Sequence, residues 1–484
     1  MSEIVPFAVA VLLVSVAVIA AVFSNRLSSL IRIPAPALFL IAAAVLAKIF
    51  PVLGSLPRGT DESLVTIALL FILFDGGMHI GWRRFRASLG AITVLGIVGT
   101  IATAAAIAAC AHFLFGIDLR LALLLGAAVA PTDPAVVFSV LGKREITGRT
   151  GTILEGESGA NDPVGIALLV SLLAATGGGS SALVGGLTEF GLQLVVGTAI
   201  GIGGGWGLSK LMRMVSLPNE ALYSVGTIAC ATSIYGVTTI LHGSGFLAVL
   251  LAGIVVGDTH APFKREIRRF TSGLATLAEI AAFSLLGLTV SLDVVFDPAV
   301  IWPGLAIAGL LIFVVRPIFV GVLLIPMRLR WGERLFVLWA GLKGAVPILL
   351  GMFILGARIS GAERVYAIIF VVVLVSVILQ GGLVPLFARI LRVPMKTIEP
   401  QPWASGLRFR ERPDGMGEYV VAIGSPAEGA TVDELELGDD GWVSLIRRNG
   451  ALVQVRGSTR LEAGDVVLAL GDTQSEFVRI FGAS

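Results

Sequence analysis

Long apolar runs alternate with short polar loops along most of the chain. Thirteen runs of about 20 apolar residues read as membrane spans. They are 4–24, 34–50, 61–81, 88–115, 119–141, 149–176, 182–209, 219–241, 245–258, 268–291, 300–325, 335–356 and 365–388. The ninth is short, and the seventh and tenth are long enough to need tilt. After Val393 the pattern changes. Residues 397–417 are polar with Pro and Gly and predict a linker. In 418–484, EYVVAIG, GWVSLIRR, ALVQVRG and DVVLALG predict short strands, and TVDELEL and QSEFVRIF predict helices. Asn449-Gly450 predicts a hairpin turn, because both residues tolerate positive φ. The expected architecture is an all-α polytopic membrane domain over 1–392, a linker over 393–417 and a small α+β domain over 418–484.

Composition agrees with the pattern. Hydrophobic residues make up 56% of 484 and charged residues 14%, against about 25% charge in a soluble protein. Basic residues fall in alternate loops, twenty on one side and five on the other. The rich side includes Arg83/Arg84/Arg86, Lys264/Arg265/Arg268/Arg269 and Arg389/Arg392/Lys396. The positive-inside rule puts that side in the cytoplasm, so the N-terminus is expected outside and the C-terminus inside. The start, MSEIVPFAVAVLL, lacks a basic n-region and a small-residue cleavage site, and reads as a retained first span. Two cysteines and four scattered histidines match no disulfide framework or metal spacing. No cofactor and no enzymatic activity are expected.

The candidate chemistry lies inside the spans. RTGTILEGESGANDPVG puts Glu155, Glu157 and Asp162 at membrane depth. Each carboxylate there costs roughly 2.5–3.5 kcal/mol on insertion scales and usually marks an ion or proton path. At about 100° per residue, Glu155, Ser158 and Asp162 share one helix face, with Glu157 nearly opposite. In the fifth span, PTDPAVV carries Thr132 and Asp133 between Pro131 and Pro134, which cannot sit in an unbroken helix. Broken helices with a carboxylate at the gap are how secondary transporters build cation sites. GLKGAVP, seven spans later, predicts a second break, as inverted repeats would allow. Lys343 there either neutralises the negative ends of half-helices or snorkels to the interface. Arg316 in FVVRP is roughly 14 Å deep and needs a buried carboxylate; Glu155 is the expected partner, leaving Asp162 to exchange ions. Asp75 in FDGGM either faces the cavity or caps its helix. Glu279 also lies at membrane depth, without an evident partner. GIGGGWG, residues 201–207, follows no soluble strand and reads as close helix packing rather than a dinucleotide loop. Oxygen ligands of this kind suit a monovalent alkali cation. A buried carboxylate can hold either a proton or a cation, and one titratable group beside Asn161 favours one-for-one exchange.

PTDPAVV, GESGANDP, FVVRP and GLKGAVP, in this order, resemble the NhaP-type monovalent cation:proton antiporters over the whole membrane region. The resemblance implies a thirteen-span homodimer in lipid with inverted repeats, two crossed broken helices and an elevator-like motion. It implies cation ligation by Asp133, Asp162, the Ser158 side chain and the Thr132 backbone carbonyl. It also implies that Asn161 steadies the crossing and that Glu155 pairs with Arg316. Asp75 stands where family members often have glutamate, and would be an outer ligand; Lys343 stands where many have arginine. Pro163 after Asp162, together with FDGG, looks more like the potassium/proton branch than the sodium branch. Residues 418–484, in YVVAIGSPAEGATVDELEL and GDVVLALG, resemble the RCK-C (TrkA-C) domain, which implies a dimerising regulatory unit able to bind a small ligand. The expectation is a bacterial inner-membrane K⁺/H⁺ antiporter active in pH homeostasis. A Na⁺(Li⁺)/H⁺ antiporter with the same site is the alternative. A channel gated by the tail lacks a TVGYG-like filter, and a membrane-anchored sensor does not explain the intramembrane charge.

Overall fold

A computed structural model describes residues 34–50, 58–141, 144–146, 148–175, 180–215, 217–259, 261–327, 329–397, 416–435, 437, 441–470 and 474–482. The expected first span, 4–24, lies outside the described residues. The chain divides into two compact units, Met1–Thr397 and Ile398–Ser484.

The first unit is helical. Its helices are α1 (Ala35–Ile49), α2 (Arg58–Ile80), α3 (Trp82–Phe115), α4 (Leu119–Val129), α5 (Ala135–Leu141), α6 (Arg149–Ala174), α7 (Ser180–Met214) and α8 (Glu220–Ile240). They continue with α9 (Gly245–Gly257), α10 (Lys264–Thr289), α11 (Pro298–Leu323), α12 (Trp331–Trp339), α13 (Ala345–Gly356) and α14 (Ala362–Ile390). Seven of these, α2, α3, α7, α8, α10, α11 and α14, are long and apolar enough to cross a membrane among the described residues. α1, α4, α9 and α13 are apolar but shorter. α6 has the length but not the hydropathy, because Glu155, Glu157, Asn161 and Asp162 lie along it. The hydrophobic runs from 34 onward each fall on a helix or on a pair of half-helices.

Two spans are interrupted where the sequence puts proline or glycine. α4 stops at Val129 and α5 begins at Ala135. Pro131 and Pro134 between them cannot donate backbone hydrogen bonds and clash one turn back. α12 stops at Trp339 and α13 begins at Ala345, with Gly341 and Gly344 between them. The breaks touch directly: Asp133 N donates to Leu342 O at 2.7 Å. Short strand β1 (Arg144–Ile146), between α5 and α6, pairs antiparallel with β2 (Met395–Thr397), which follows α14.

Among its described residues the second unit has a four-stranded antiparallel sheet, order β3-β6-β4-β5, and one α-helix. Its strands are β3 (Met416–Val420), β4 (Trp442–Arg448), β5 (Ala451–Val453) and β6 (Val466–Leu470), and its helix is α15 (Gln474–Phe481). Asn449 and Gly450 join β4 to β5 with φ of 50° and 84°, the hairpin turn their chemistry predicts. Among its described residues TVDELEL forms a single 3₁₀ turn, Val432–Glu434, opened by a Thr431–Glu434 capping box and ended by Leu435, whose backbone is extended at φ −75° and ψ 123°. Phe477, Ile480 and Phe481 pack with Tyr419 to form the core.

Asp465 is the buried charge of this unit. Its carboxylate accepts from Arg448 Nε at 2.9 Å, Arg448 Nη2 at 2.8 Å and the Glu462 N–H at 2.9 Å. Burial pushes the acid up, but Arg448 and the Glu462 N–H outweigh it and hold Asp465 below the usual carboxylate range. The stabilisation is therefore complete above the unfolded-state value, about 3.9, and is lost as pH falls through the lower folded value. Asp465→Asn should cost about 1.5–3 kcal/mol near neutral pH and flatten the acid limb of the stability curve. Hydrogen exchange of β4 and β6 in the full-length protein, measured from pH 7 downward, reads both effects.

Candidate functional site

The chain between α4 and α5 is held by α6. Thr132 has three polar groups, and all three are taken. Its N–H donates to Asn161 Oδ1 at 3.2 Å, its Oγ1 accepts from Asn161 Nδ2 at 2.7 Å, and its carbonyl accepts from Ser158 Oγ at 2.6 Å. All three residues are at most 4% exposed. Irregular backbone at membrane depth is tolerated only where such partners replace the lost helical bonds. Gly344 leaves room for the Asp133 carboxylate, whose Oδ2 occupies the place of a missing Cβ.

Lys343 supplies the compensating charge. It is 1% exposed, which excludes snorkelling. Its Nζ donates to Ala130 O at 2.8 Å and Pro131 O at 2.9 Å. These carbonyls follow the C-terminal end of α4, the negative pole of that half-helix. The lysine of one break thus reaches the carbonyls of the other.

Asp162 is buried beside this arrangement, within electrostatic reach of Asp133 and Lys343. Its Oδ1 has no hydrogen-bond partner among the described residues. An orphaned carboxylate oxygen in a dry site is costly unless something else binds it. Asp162, like the neighbouring Asp133 carboxylate, Ser158 hydroxyl and Thr132 carbonyl, offers oxygen atoms only, the donor type that suits a proton or an alkali cation rather than a soft metal.

Arg316 corrects one expectation. Its Nη2 pairs with Glu157 Oε1 at 2.9 Å, not with Glu155. Nε and Nη2 also donate to Leu338 O and Val337 O at 3.0 and 3.1 Å, at the carbonyl end of α12. The helical wheel misled because α6 is enclosed on nearly every side. α2, α3, α4, α7, α9, α12 and α13 all pack on it. Sharing a face with Asp162 therefore did not decide which face meets α11. Glu157 is 3% exposed and belongs to the buried set.

Asp75 lies elsewhere. Its Oδ1 accepts from Ser272 Oγ at 2.8 Å and Thr271 Oγ1 at 3.2 Å, and its Oδ2 is 3.3 Å from His79 Nδ1. These contacts tie the end of α2 to α10 and bring no member of the Thr132–Asp162 cluster. Glu279 on α10, by contrast, comes within electrostatic reach of Asp133. Two residues escaped sequence reasoning altogether, Ser376 and Gln380 on α14. Ser376 Oγ accepts from Lys343 N at 3.0 Å, and Gln380 Nε2 donates to Trp339 O at 2.9 Å. The available signal was two polar residues four apart in an otherwise apolar run, SVILQ.

Residues 12–390 match the family described as "Sodium/hydrogen exchanger, transmembrane", and residues 416–482 match the TrkA-C domain. A K(+)/H(+) antiporter NhaP2 of Shewanella oneidensis is 34% identical over 97% of this chain and 81% of its own. A K(+)/H(+) antiporter NhaP of Alkalimonas amylolytica is 38% identical over 68% of this chain and 57% of its own. The solved sodium proton antiporter MjNhaP1 of Methanocaldococcus jannaschii has the same fold, with a TM-score of 0.68 at 21% identity, over 80% of this chain and 99% of that one. The broken helices, the buried carboxylate cluster and these matches lead to one assignment: the chain belongs to the sodium/hydrogen exchanger family, as a multi-pass membrane transporter that exchanges monovalent cations for protons, is not an enzyme, and carries a C-terminal TrkA-C domain.

Proposed function

We propose that this protein is a K⁺/H⁺ antiporter in which Asp162 carries the exchanged ion, with Asp133, Ser158 and the Thr132 carbonyl as further ligands. The observation that carries the reading is the buried Asp162 Oδ1, left without a hydrogen-bond partner among the described residues beside Thr132, Ser158 and Asn161, which bond one another. Glu157 Oε2 also has none, but the Glu157 carboxylate has a fixed cation, Arg316, on its other oxygen. Around Asp162 stand one anion, Asp133, and one cation, Lys343. With one titratable carboxylate, Asp162, beside the neutral Asn161, the reading is one-for-one, electroneutral exchange. The names of the relatives and Pro163 after Asp162 favour potassium. The reading includes a homodimer in the bacterial inner membrane, with the N-terminus outside and the C-terminus in the cytoplasm. It also includes elevator-type alternating access around two crossed broken helices and regulation by the TrkA-C domain through a small ligand. Asp75 takes no direct part in ligation in this reading, in keeping with its partners on α10.

In reconstituted vesicles with an imposed pH gradient, added K⁺ should drive proton flux in the wild type, and Asp162→Asn should abolish it. Flux with Na⁺ and Li⁺ but not K⁺ would keep the site and move the protein to sodium. A mutant as fast as wild type would overturn the role given to Asp162.

The Glu157–Arg316 pair is given a structural role. Glu157→Gln leaves a buried guanidinium uncompensated and should cost about 3–5 kcal/mol. Thermal unfolding in detergent should show a large fall for that variant. Glu157→Gln combined with Arg316→Met should recover much of the loss.

A further inference from the structure

Lys343 is held from behind by α14. Residues Ser376–Gly381 form a π-helical turn inside that otherwise α-helical span. Single π turns inside helices are frequent at functional sites, because they redirect side chains. Ser376 and Gln380 project from this turn onto the break between α12 and α13. Ser376 Oγ accepts from Lys343 N at 3.0 Å and donates to Gln380 Oε1 at 2.6 Å. Gln380 Nε2 donates to Trp339 O at 2.9 Å, and Trp339 Nε1 donates back to Gln380 O at 3.2 Å. The Trp339 ring stacks on Phe387 of the same span, 3.9 Å between centroids. Ser376 and Gln380 are 1% and 0% exposed. Gly381 packs against Leu342 of this break and Val136 of α5. One turn of α14 therefore holds the break at Trp339, where α12 ends, and at Lys343 itself.

This bracing matters because the Lys343 ammonium has two sets of acceptors near it. Its ammonium lies on the Ala130 and Pro131 carbonyls, yet Asp162 is within electrostatic reach and has an oxygen open to a donor. A lysine free to shift toward Asp162 would act as a built-in competitor of the transported cation. We propose that Ser376 and Gln380 are positioning residues that keep the Lys343 ammonium on the Ala130 and Pro131 carbonyls and off the Asp162 carboxylate, and so set the apparent affinity for the transported cation. The inference rests on the exchange reading given above for Asp162.

The test uses the full-length protein in vesicles, with K⁺ or whichever alkali cation the wild type exchanges. Ser376→Ala and Gln380→Met should each raise the apparent KM for the cation by roughly tenfold, as loss of an outer-shell partner does, with a much smaller change in maximal rate. Ser376→Thr, which keeps the hydroxyl, should stay near wild type. Cation-induced stabilisation against thermal unfolding gives the same affinity without transport. On that readout Ser376→Ala should add nothing in a Lys343→Met background. If Gln380→Met does not assemble, Ser376→Ala decides alone. Unchanged KM in the assembled variants, or a full further loss of affinity on top of Lys343→Met, would overturn the proposal. Loss of exchange in the wild type, or its persistence in Asp162→Asn, would instead overturn the exchange reading itself.

Discussion

The contact on which the site depends is the Lys343 ammonium on the Ala130 and Pro131 carbonyls. Breaking α4 before Pro131 exposes backbone acceptors in an apolar interior, where each unpaired group costs several kcal/mol. Burying a lone ammonium is costlier still. Each problem supplies the other's solution, because the acceptors lie at the negative end of α4 and the donor is a cation. The arrangement also explains why the two breaks must touch. Lys343 sits inside the second break and its partners inside the first, so neither can be moved without exposing the other. The Asp133 N–H on Leu342 O is a neutral bond made across the same junction.

The buried carboxylates divide by whether a fixed cation holds them. Glu157 has Arg316 within hydrogen-bond distance, and Arg316 is itself fixed by two carbonyls of α12. Glu157 Oε2 has no hydrogen-bond partner among the described residues, but the carboxylate's charge is met by the guanidinium on Oε1. Asp162 has an oxygen without a protein donor, and the one nearby ammonium is engaged on the Ala130 and Pro131 carbonyls. A permanently paired acid stays charged and occupied. An unpaired one in a dry cleft must take up a proton or a cation. The same acidic group, carried twice on one helix, thus reads as structure in one place and as a proposed carrier in the other.

Much of this was legible in the sequence. The apolar runs from residue 34 onward fall on helices, and PTDP and GLKG mark the two breaks, because proline and glycine act locally and leave a trace in one dimension. The pairing of Ser158 and Asn161 with Thr132 follows from helical spacing once those segments meet. What was not legible is which face of α6 meets which neighbour. Glu155 and Glu157 differ by 200° on the wheel, yet a helix enclosed on nearly all sides has no single inward face, so Arg316 found Glu157. Asp75 was similarly out of reach: its hydroxyl partners Thr271 and Ser272 lie almost two hundred residues away on α10. In the tail, the strands and the Asn449-Gly450 turn were plain, whereas TVDELEL, which carries a helix-start capping box, goes extended at Leu435 after one turn.

Hydrogen bonds, more than packing, fix the spacing of the proposed ligands. Asp133 lies one residue after Thr132, and Asp162 one residue after Asn161. Asn161 and Thr132 are joined by two hydrogen bonds, and Ser158 adds a third. The segment that carries one carboxylate is therefore tied to the helix that carries the other at the residues beside the acids. The β1–β2 ladder ties the connection between α5 and α6 to the segment after α14. Apolar packing alone tolerates small slides between helices, since it is non-directional. Hydrogen bonds do not, because they weaken steeply with angle. A site of the proposed kind needs oxygen positions held to a fraction of an ångström, and the three hydrogen bonds between Thr132 and α6 lie beside both acids.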